Sequence, residues 1–410
     1  SFFKKETVLC IAALLAIVSA FVVVPDAEYI DYIDVRTLAI LFSLMAVMAG
    51  FQQIGVFSAI AGKLLGHVRS VRSLVLVLML LCFVSSMLIT NDVALITFVP
   101  FTFTVFALIG EKLKQRLMIP VIVIETIAAN LGSMLTPIGN PQNLYLYGQS
   151  GMGLGEFIAL MLPYTVVSLV LLVVWCVILG SSGLGAGQEL RLWDKEATKE
   201  DGLAVPADGS RQSCNGSQSQ GERQQPGNRA QRGEGADPAW KKLFVYIILF
   251  VLCLLTVARV LPYGVTLGIV VVAVLIVDRK VLGKVDYGLL LTFVGFFVFI
   301  GNMGRIPAFS NFLASMMQGR EVMTAVVSSQ VISNVPAALL LSGFTQNYEA
   351  LIVGTNLGGL GTLIASMASL ISFKYIGKEA GEKKGAYLLY FTAANLVFLA
   401  VLVCYHLVVG

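Results

Sequence analysis

The chain has 410 residues, of which 57% are hydrophobic and only 13% charged, and its formal net charge is +4. A soluble domain carries about 25% charged residues, so a soluble globular fold is excluded, and +4 over this length supplies no dense basic face for nucleic acid. An all-α polytopic membrane protein remains, with the lipid bilayer as its first partner.

A helix that crosses the hydrocarbon needs about 20 apolar residues. In chain order, such helices are expected from Thr7 to Val24, Val35 to Phe51, Pro120 to Leu146 with a break, and Phe157 to Gly180. In the second half they follow from Leu243 to Val260, Val265 to Val277, Tyr287 to Gly301, Ala350 to Ile376 with a break, and Tyr387 to Val409. Two other apolar runs are interrupted near their middles: Leu74 to Leu108 by Thr90-Asn91-Asp92, and Val322 to Phe344 by Ser333-Asn334. Irregular backbone at membrane depth is tolerated only inside protein or beside a water-filled cavity. Each interrupted run is therefore expected to be a re-entrant helical hairpin with a polar tip.

The positive-inside rule tests that expectation. With both hairpins re-entrant, 24 of the 28 Lys and Arg residues fall on the cytoplasmic side, and only Arg36, Arg259, Arg305 and Arg320 lie outside. The first hairpin then enters from the cytoplasm and the second from outside. Residues 181–242 are of a different kind, rich in Gly, Ser, Gln and Asn, with nine charges of each sign and almost no aliphatic side chains. Such a composition does not repay the entropy of ordering, and a disordered cytoplasmic linker is expected there. It separates a first unit, 1–180, from a second, 243–410.

The two units resemble each other. Asp26 aligns with Asp278, Asp34 with Asp286, Thr90-Asn91 with Ser333-Asn334, and Asn130-Leu131-Gly132-Ser133 with Asn356-Leu357-Gly358-Gly359. The charge distribution gives the units opposite orientations, so two inverted-topology repeats are expected, each with a hairpin and a broken helix. Discontinuous helices meeting near the midplane are the architecture of secondary transporters. The run Leu243 to Val260 has no counterpart before Thr7, and an N-terminal piece preceding Ser1 is expected.

The richest site signal is Ala129 to Asn143, ANLGSMLTPIGNPQN. Gly132 and Gly139 permit close backbone approach, and Pro137 and Pro141 cannot continue helical hydrogen bonding. The freed backbone groups, together with Asn130, Ser133, Thr136, Asn140 and Asn143, offer oxygen ligands to a cation and N–H donors to an anion. A simple packing kink is the alternative.

The tips Thr90-Asn91 and Ser333-Asn334, combined with TPIGNPQN, resemble the ion transporter superfamily of citrate and anion permeases, divalent anion/sodium symporters and arsenite permeases. The resemblance covers the chain outside the linker. It implies two sodium sites flanking a carboxylate-bearing solute: one from Thr90, Asn91 and the backbone near Gly132 to Pro137, the other from Ser333, Asn334 and the backbone near Gly358, Gly359 and Thr362. It also implies an elevator-type motion of hairpins and broken helices against the remaining helices, in a homodimer. The chain departs from the symporter pattern at Asp92 and Val335, where the symporters have Thr, and in lacking a proline after Thr362. The Asn-Asp tip is closer to the arsenite permeases.

Among single residues, Asp92 suits sodium binding, proton carriage or capping of the second hairpin helix. Glu125, five residues before Asn130, suits proton coupling or a structural hydrogen bond to a neighbouring helix. Arg305 is expected as an interfacial anchor or an anion-steering charge, and His406 as an interfacial residue. The segments Gly55 to Leu65 and Pro307 to Met317 are amphipathic and suit connecting arms. Six cysteines have neither paired nor CxxC spacing, so neither disulfides nor a zinc centre is suggested.

The sequence thus points to a secondary active transporter of a small anion in the cytoplasmic membrane, needing no cofactor beyond a coupling ion, Na+ or H+. Arsenite or antimonite export and Na+/H+ antiport are its rivals, with a channel as a rival of another class. No HExxH, GxSxG or Walker motif suggests an enzyme.

Overall fold

The computed structural model describes residues 7–66, 68–109, 111–181 and 239–409, and these are helical with no strand. Lys4, Lys5, His67, Cys214 and nearly all of the expected linker lie outside the described residues. In the first half the helices are α1 (Thr7–Val22), α2 (Val35–Ile54), α3 (Val56–Leu65), α4 (Val71–Ile89), α5 (Asn91–Ile109), α6 (Glu111–Gly132), α7 (Pro141–Ser150) and α8 (Leu154–Ser181). The second half holds α9 (Ala239–Val257), α10 (Tyr263–Val277), α11 (Tyr287–Gly304), α12 (Pro307–Met317), α13 (Glu321–Ile332), α14 (Asn334–Ser342), α15 (Tyr348–Leu357), α16 (Met367–Glu379) and α17 (Lys384–Val409). Eight helices among the described residues are long and apolar enough to cross a membrane. The expected arms are the helices α3 and α12. Helix α9 starts before the expected end of the linker, so Trp240, Lys241 and Lys242 are helical.

Local chemistry fixes the ends of these helices. Asp34 caps α2 by accepting from Thr37 N at 3.0 Å, and Asp286 caps α11 by accepting from Leu289 N at 2.9 Å. Gly55, in the left-handed region at φ 78°, closes α2. Pro141 and Pro307 open α7 and α12 at positions where no amide donor is needed.

The helices pack in two groups. In one, α6 lies against α4, α5, α8, α16 and α17, while α15 packs with α13, α14 and α7. Helix α6 is the most enclosed, with 89% of its span buried against 28% for α9, α11 and α17. In the other, α1 packs along α11, and α2 along α9 and α10. Helices α8 and α17 therefore sit with the hairpins, whereas the resemblance grouped them with the scaffold. Gly295 lets α11 approach Ala12 of α1, and Asn302 Nδ2 donates to Ser19 Oγ at 2.9 Å in the same seam.

The same contacts recur in both halves. Arg305 at the end of α11 donates to Asp26 Oδ2 at 2.7 Å, and Gln53 at the corresponding end of α2 donates to Asp278 Oδ2. Helix α5 of the first hairpin packs on α16, and α14 of the second hairpin packs on α7. Each hairpin thus reaches across to the broken helix of the other half.

Candidate functional site

Thr90 joins α4 to α5 with φ 67° and ψ 148°, and Ser333 joins α13 to α14 with φ 73° and ψ 155°. Apart from Arg259, these are the non-glycine residues with positive φ among those described. Both tips are clipped to their own broken helix by the same two bonds. Asn91 N donates to Gly139 O at 3.1 Å, and Asn334 N to Ala365 O at 2.9 Å. Thr136 Oγ1 donates to Met87 O at 2.5 Å, and Thr362 Oγ1 to Gln330 O at 3.1 Å. Met87 and Gln330 each lie three residues before the tip.

Glycines set how closely hairpin and broken helix approach. A Cβ on Gly132 would stand 2.0 Å from Phe83 O and 2.6 Å from Ser86 Oγ, and one on Gly358 would stand 2.6 Å from Ser329 Oγ. Gly139 is as tight, 2.0 Å from Ser133 O. The two halves are then tied at their centre by asparagines. Asn130 Oδ1 accepts from Asn91 Nδ2 at 2.9 Å and from Ser366 Oγ at 3.0 Å, joining the first hairpin, the first broken helix and the second broken helix. Asn356 Nδ2 donates to Asn143 Oδ1 at 2.6 Å, crossing between the broken helices in the other direction. Asn140 Nδ2 reaches Ser133 Oγ at 2.7 Å, and Asn143 Nδ2 lies 3.4 Å from Thr136 O.

Several oxygens in this cluster are buried without a hydrogen-bond donor: Asn140 Oδ1, Asn356 Oδ1, Gln142 Oε1 and Asp92 Oδ1. Asp92 lies in the first turn of α5, not at its cap, because the helix begins at Asn91. With Thr90 and Asn140 it lines a cavity of about 160 Å³ whose other walls are Leu41, Met45 and Met48 of α2, with Lys284 and Asp286 at the start of α11. The positions of α11 that correspond to Leu41 and Met45 carry Phe293 and Phe297, whose rings pack on Tyr145 at centroid distances of 6.4 and 5.6 Å.

The citrate transporter family model, CitMHS, matches residues 4–348. The chain belongs to the citrate transporter family. The transporter is 30% identical to the inner membrane protein YbiR of Escherichia coli, over 83% of this chain and 80% of that one. It is 29% identical to the uncharacterized transporter MJ0456 of Methanocaldococcus jannaschii, over 93% and 92%. A shorter similarity, 29% identity over 37% of this chain and 30% of the other, links it to the silicon efflux transporter LSI3 of rice. It is a multi-pass membrane transporter and not an enzyme.

In the transporter, Asn91, Asn130, Ser133, Thr136, Gly139, Asn140, Asn143 and Asn356 take part in one hydrogen-bonded assembly, Ser333, Asn334 and Thr362 form a second with Ala365 and Gln330, and Thr90 accepts from Ala94 N in the first turn of α5. Pro137, Pro141, Gly358 and Gly359 are buried in the two broken-helix loops. Gln330, not singled out in the sequence, closes the second loop. Its Nε2 donates to Gly358 O and Leu360 O at 3.0 and 2.9 Å, and its Oε1 accepts from Thr362 N at 2.8 Å. Its signal was a lone amide in an apolar hairpin arm. Ser366 and Ser369 of the second broken helix, which the sequence pattern does not mark, also reach Asn130.

Arg305 is held by its own chain. The hydrogen bonds it donates to Tyr32 OH and Asp26 Oδ2 push its guanidinium above the ordinary range, and Glu28 lies 3.5 Å away. Its charge is matched there, which fits an anchor better than a steering group. His406 Nδ1 lies 2.8 Å from Tyr164 OH, tying α17 to α8.

Proposed function

We propose that the transporter is a secondary active carrier of a small anion, a di- or tricarboxylate or an inorganic oxyanion, driven by Na+ or H+ across the cytoplasmic membrane. The observation that carries this reading is the meeting of two hairpin tips and two broken-helix loops around amide and carboxylate oxygens that lack donors, beside a cavity that ends on Asp92. Unpaired amide and carboxylate oxygens are the ligands a small hard cation takes, and backbone N–H groups in the first turns of α7 and α16 suit an anion. Asp92 is the cation-coupling group in this reading, with Thr90 and Asn91 at one sodium site and Ser333 and Asn334 at the other.

The orientation given by the basic residues assigns Lys284 and Asp286 to the cytoplasmic side, so the cavity corresponds to an inward-facing state. At the opposite side, Arg259 of the α9–α10 loop donates to Tyr147 O and Gly151 O at 3.1 and 2.8 Å, holding the outer end of α7 against the second helix group. An elevator step, in which α4 to α8 and α13 to α17 move against α1, α2 and α9 to α11, would break these contacts. The inverted arrangement of the halves and a homodimer belong to the same reading.

The test uses full-length protein in liposomes. Uptake of labelled citrate, succinate or an inorganic oxyanion such as sulfate or phosphate driven by an inward Na+ or H+ gradient supports the proposal, and no uptake of any of them under either gradient defeats it. A second reading is export of an oxyacid such as arsenite, favoured by the Asn91-Asp92 tip and by the similarity to a silicon efflux transporter. Efflux of arsenite or silicic acid in the same liposomes would select it.

A further inference from the structure

Away from the hairpin tips, Glu125 lies in α6 with none of its side chain exposed. Oε1 accepts the Thr102 hydroxyl of α5 at 2.5 Å, and Oε2 is buried without a partner. No cation forms an ion pair with it among the described residues. The titratable groups close enough to interact with it are the Cys82 thiol of α4 and the Tyr387 phenol of α17. On the other packed elements, Asp92 of α5 lines the cavity, Glu156 of α8 accepts from Gly153 N, and Lys374 and Lys378 of α16 are exposed. A carboxylate with one free oxygen and no counter-charge is costly in such surroundings, whereas the neutral acid is tolerated.

A polar seam runs beside this carboxyl, from the adjacent Thr126 to Asn130 and the hairpin tip. Ser366, Ser369 and Ser372 recur every third residue along the second broken helix. Ser366 and Ser369 bond Asn130 at 3.0 and 3.5 Å, and Ser372 accepts from Thr126 Oγ1 at 2.7 Å. Glu125 is five residues from Asn130, about 7.5 Å along the helix axis. We propose that Glu125 is a proton site of the transporter, separate from the hairpin-tip site: its carboxyl carries one proton in this conformation and releases it to water as a hydrated proton when α5 shifts on α6. The proposal rests on the carrier reading above. Thr102 ties the carboxyl to α5, so a shift of the hairpin arm alters that bond, and the serines of the second broken helix touch Thr126 and Asn130 on the same helix.

Two measurements on the full-length protein test this. Infrared spectra of purified wild type and Glu125→Gln at equal thermal stability should differ by the carbonyl band of a buried carboxylic acid, present in wild type and lost in the variant. In liposomes with succinate or citrate as solute, an inward proton gradient should drive accumulation by wild type and, at reduced rate, by Glu125→Asp, and should fail to drive it in Glu125→Gln. The proposal is overturned if the band is unchanged, if Glu125→Gln still concentrates solute from the proton gradient, or if wild type responds to Na+ alone. That last result leaves the carrier reading standing. The infrared band needs no solute and stands apart from any failure to identify one.

Discussion

Thr90 and Ser333 adopt one backbone conformation at two hairpin tips, φ 67° and ψ 148° in the first, φ 73° and ψ 155° in the second. That region belongs essentially to glycine and costs a side-chain-bearing residue about 1–3 kcal/mol. The strain is maintained by the Asn91 and Asn334 amide bonds to the broken helices. Thr90→Gly and Ser333→Gly are therefore expected to raise the melting temperature of the purified protein while lowering transport, because each also removes a hydroxyl from the site. A variant that is both more stable and fully active would mean that these hydroxyls serve only the turn.

The close approach of hairpin and broken helix predicts a difference between two matching glycines. Gly132→Ala and Gly358→Ala should each destabilise by about 1–3 kcal/mol through overpacking. Ser329→Gly should recover much of the loss at Gly358, where the nearest atoms belong to that serine. Ser86→Gly should recover little at Gly132, where the backbone oxygen of Phe83 is nearer still. Thermal unfolding of the four single and two double variants measures both.

Gln330→Leu keeps the size of the side chain and removes its donors and acceptor. Gly358 O and Leu360 O each lose a bond, at about 1–3 kcal/mol for a buried group left unpaired. Stability should fall, and the affinity for the coupling ion should fall with it if the second loop holds a cation. Ion-dependent shifts in melting temperature, compared with and without Na+, would report the latter.

Asp92→Asn removes a charge from the cavity and keeps its shape. Coupling between ion and solute typically amounts to about 5- to 150-fold in affinity, and this variant should abolish most of it, so that solute binds equally with and without the ion gradient. Unchanged coupling in titrations of wild type and variant would remove Asp92 from the mechanism.

The polar tips and the first loop were legible from composition, since Thr90-Asn91 and Ser333-Asn334 interrupt apolar runs and Gly132, Pro137, Gly139 and Pro141 cannot sit in a straight helix. The arms expected at Gly55 and Pro307 followed from their amphipathic pattern, and the helices begin at Val56 and Pro307. Gln330, Thr102 and the three serines of α16 were not legible. A hydroxyl or amide inside an apolar helix usually bonds its own preceding turn, as Thr165 does to Met161 O at 2.9 Å. Only the packing of distant segments decides which of them crosses to a neighbour. Arg305 illustrates the same limit, because its partners Asp26 and Tyr32 lie at the other end of the chain. The grouping of α8 and α17 with the hairpins also depended on tertiary contacts.

The crossing of each hairpin onto the other half's broken helix has a consequence for biosynthesis. The chain emerges from its N-terminus, and when α5 and α6 enter the bilayer, α16 does not yet exist. Asn130 can bond Asn91 at once, but its bond from Ser366, like that between Asn143 and Asn356, must wait until the second broken helix is inserted. Only the groups that tie the halves together are thus completed late, while Asn91, Ser133, Thr136 and Asn140 find partners within the first half. The bonds that join the two broken helices form only once both halves of the chain have been made.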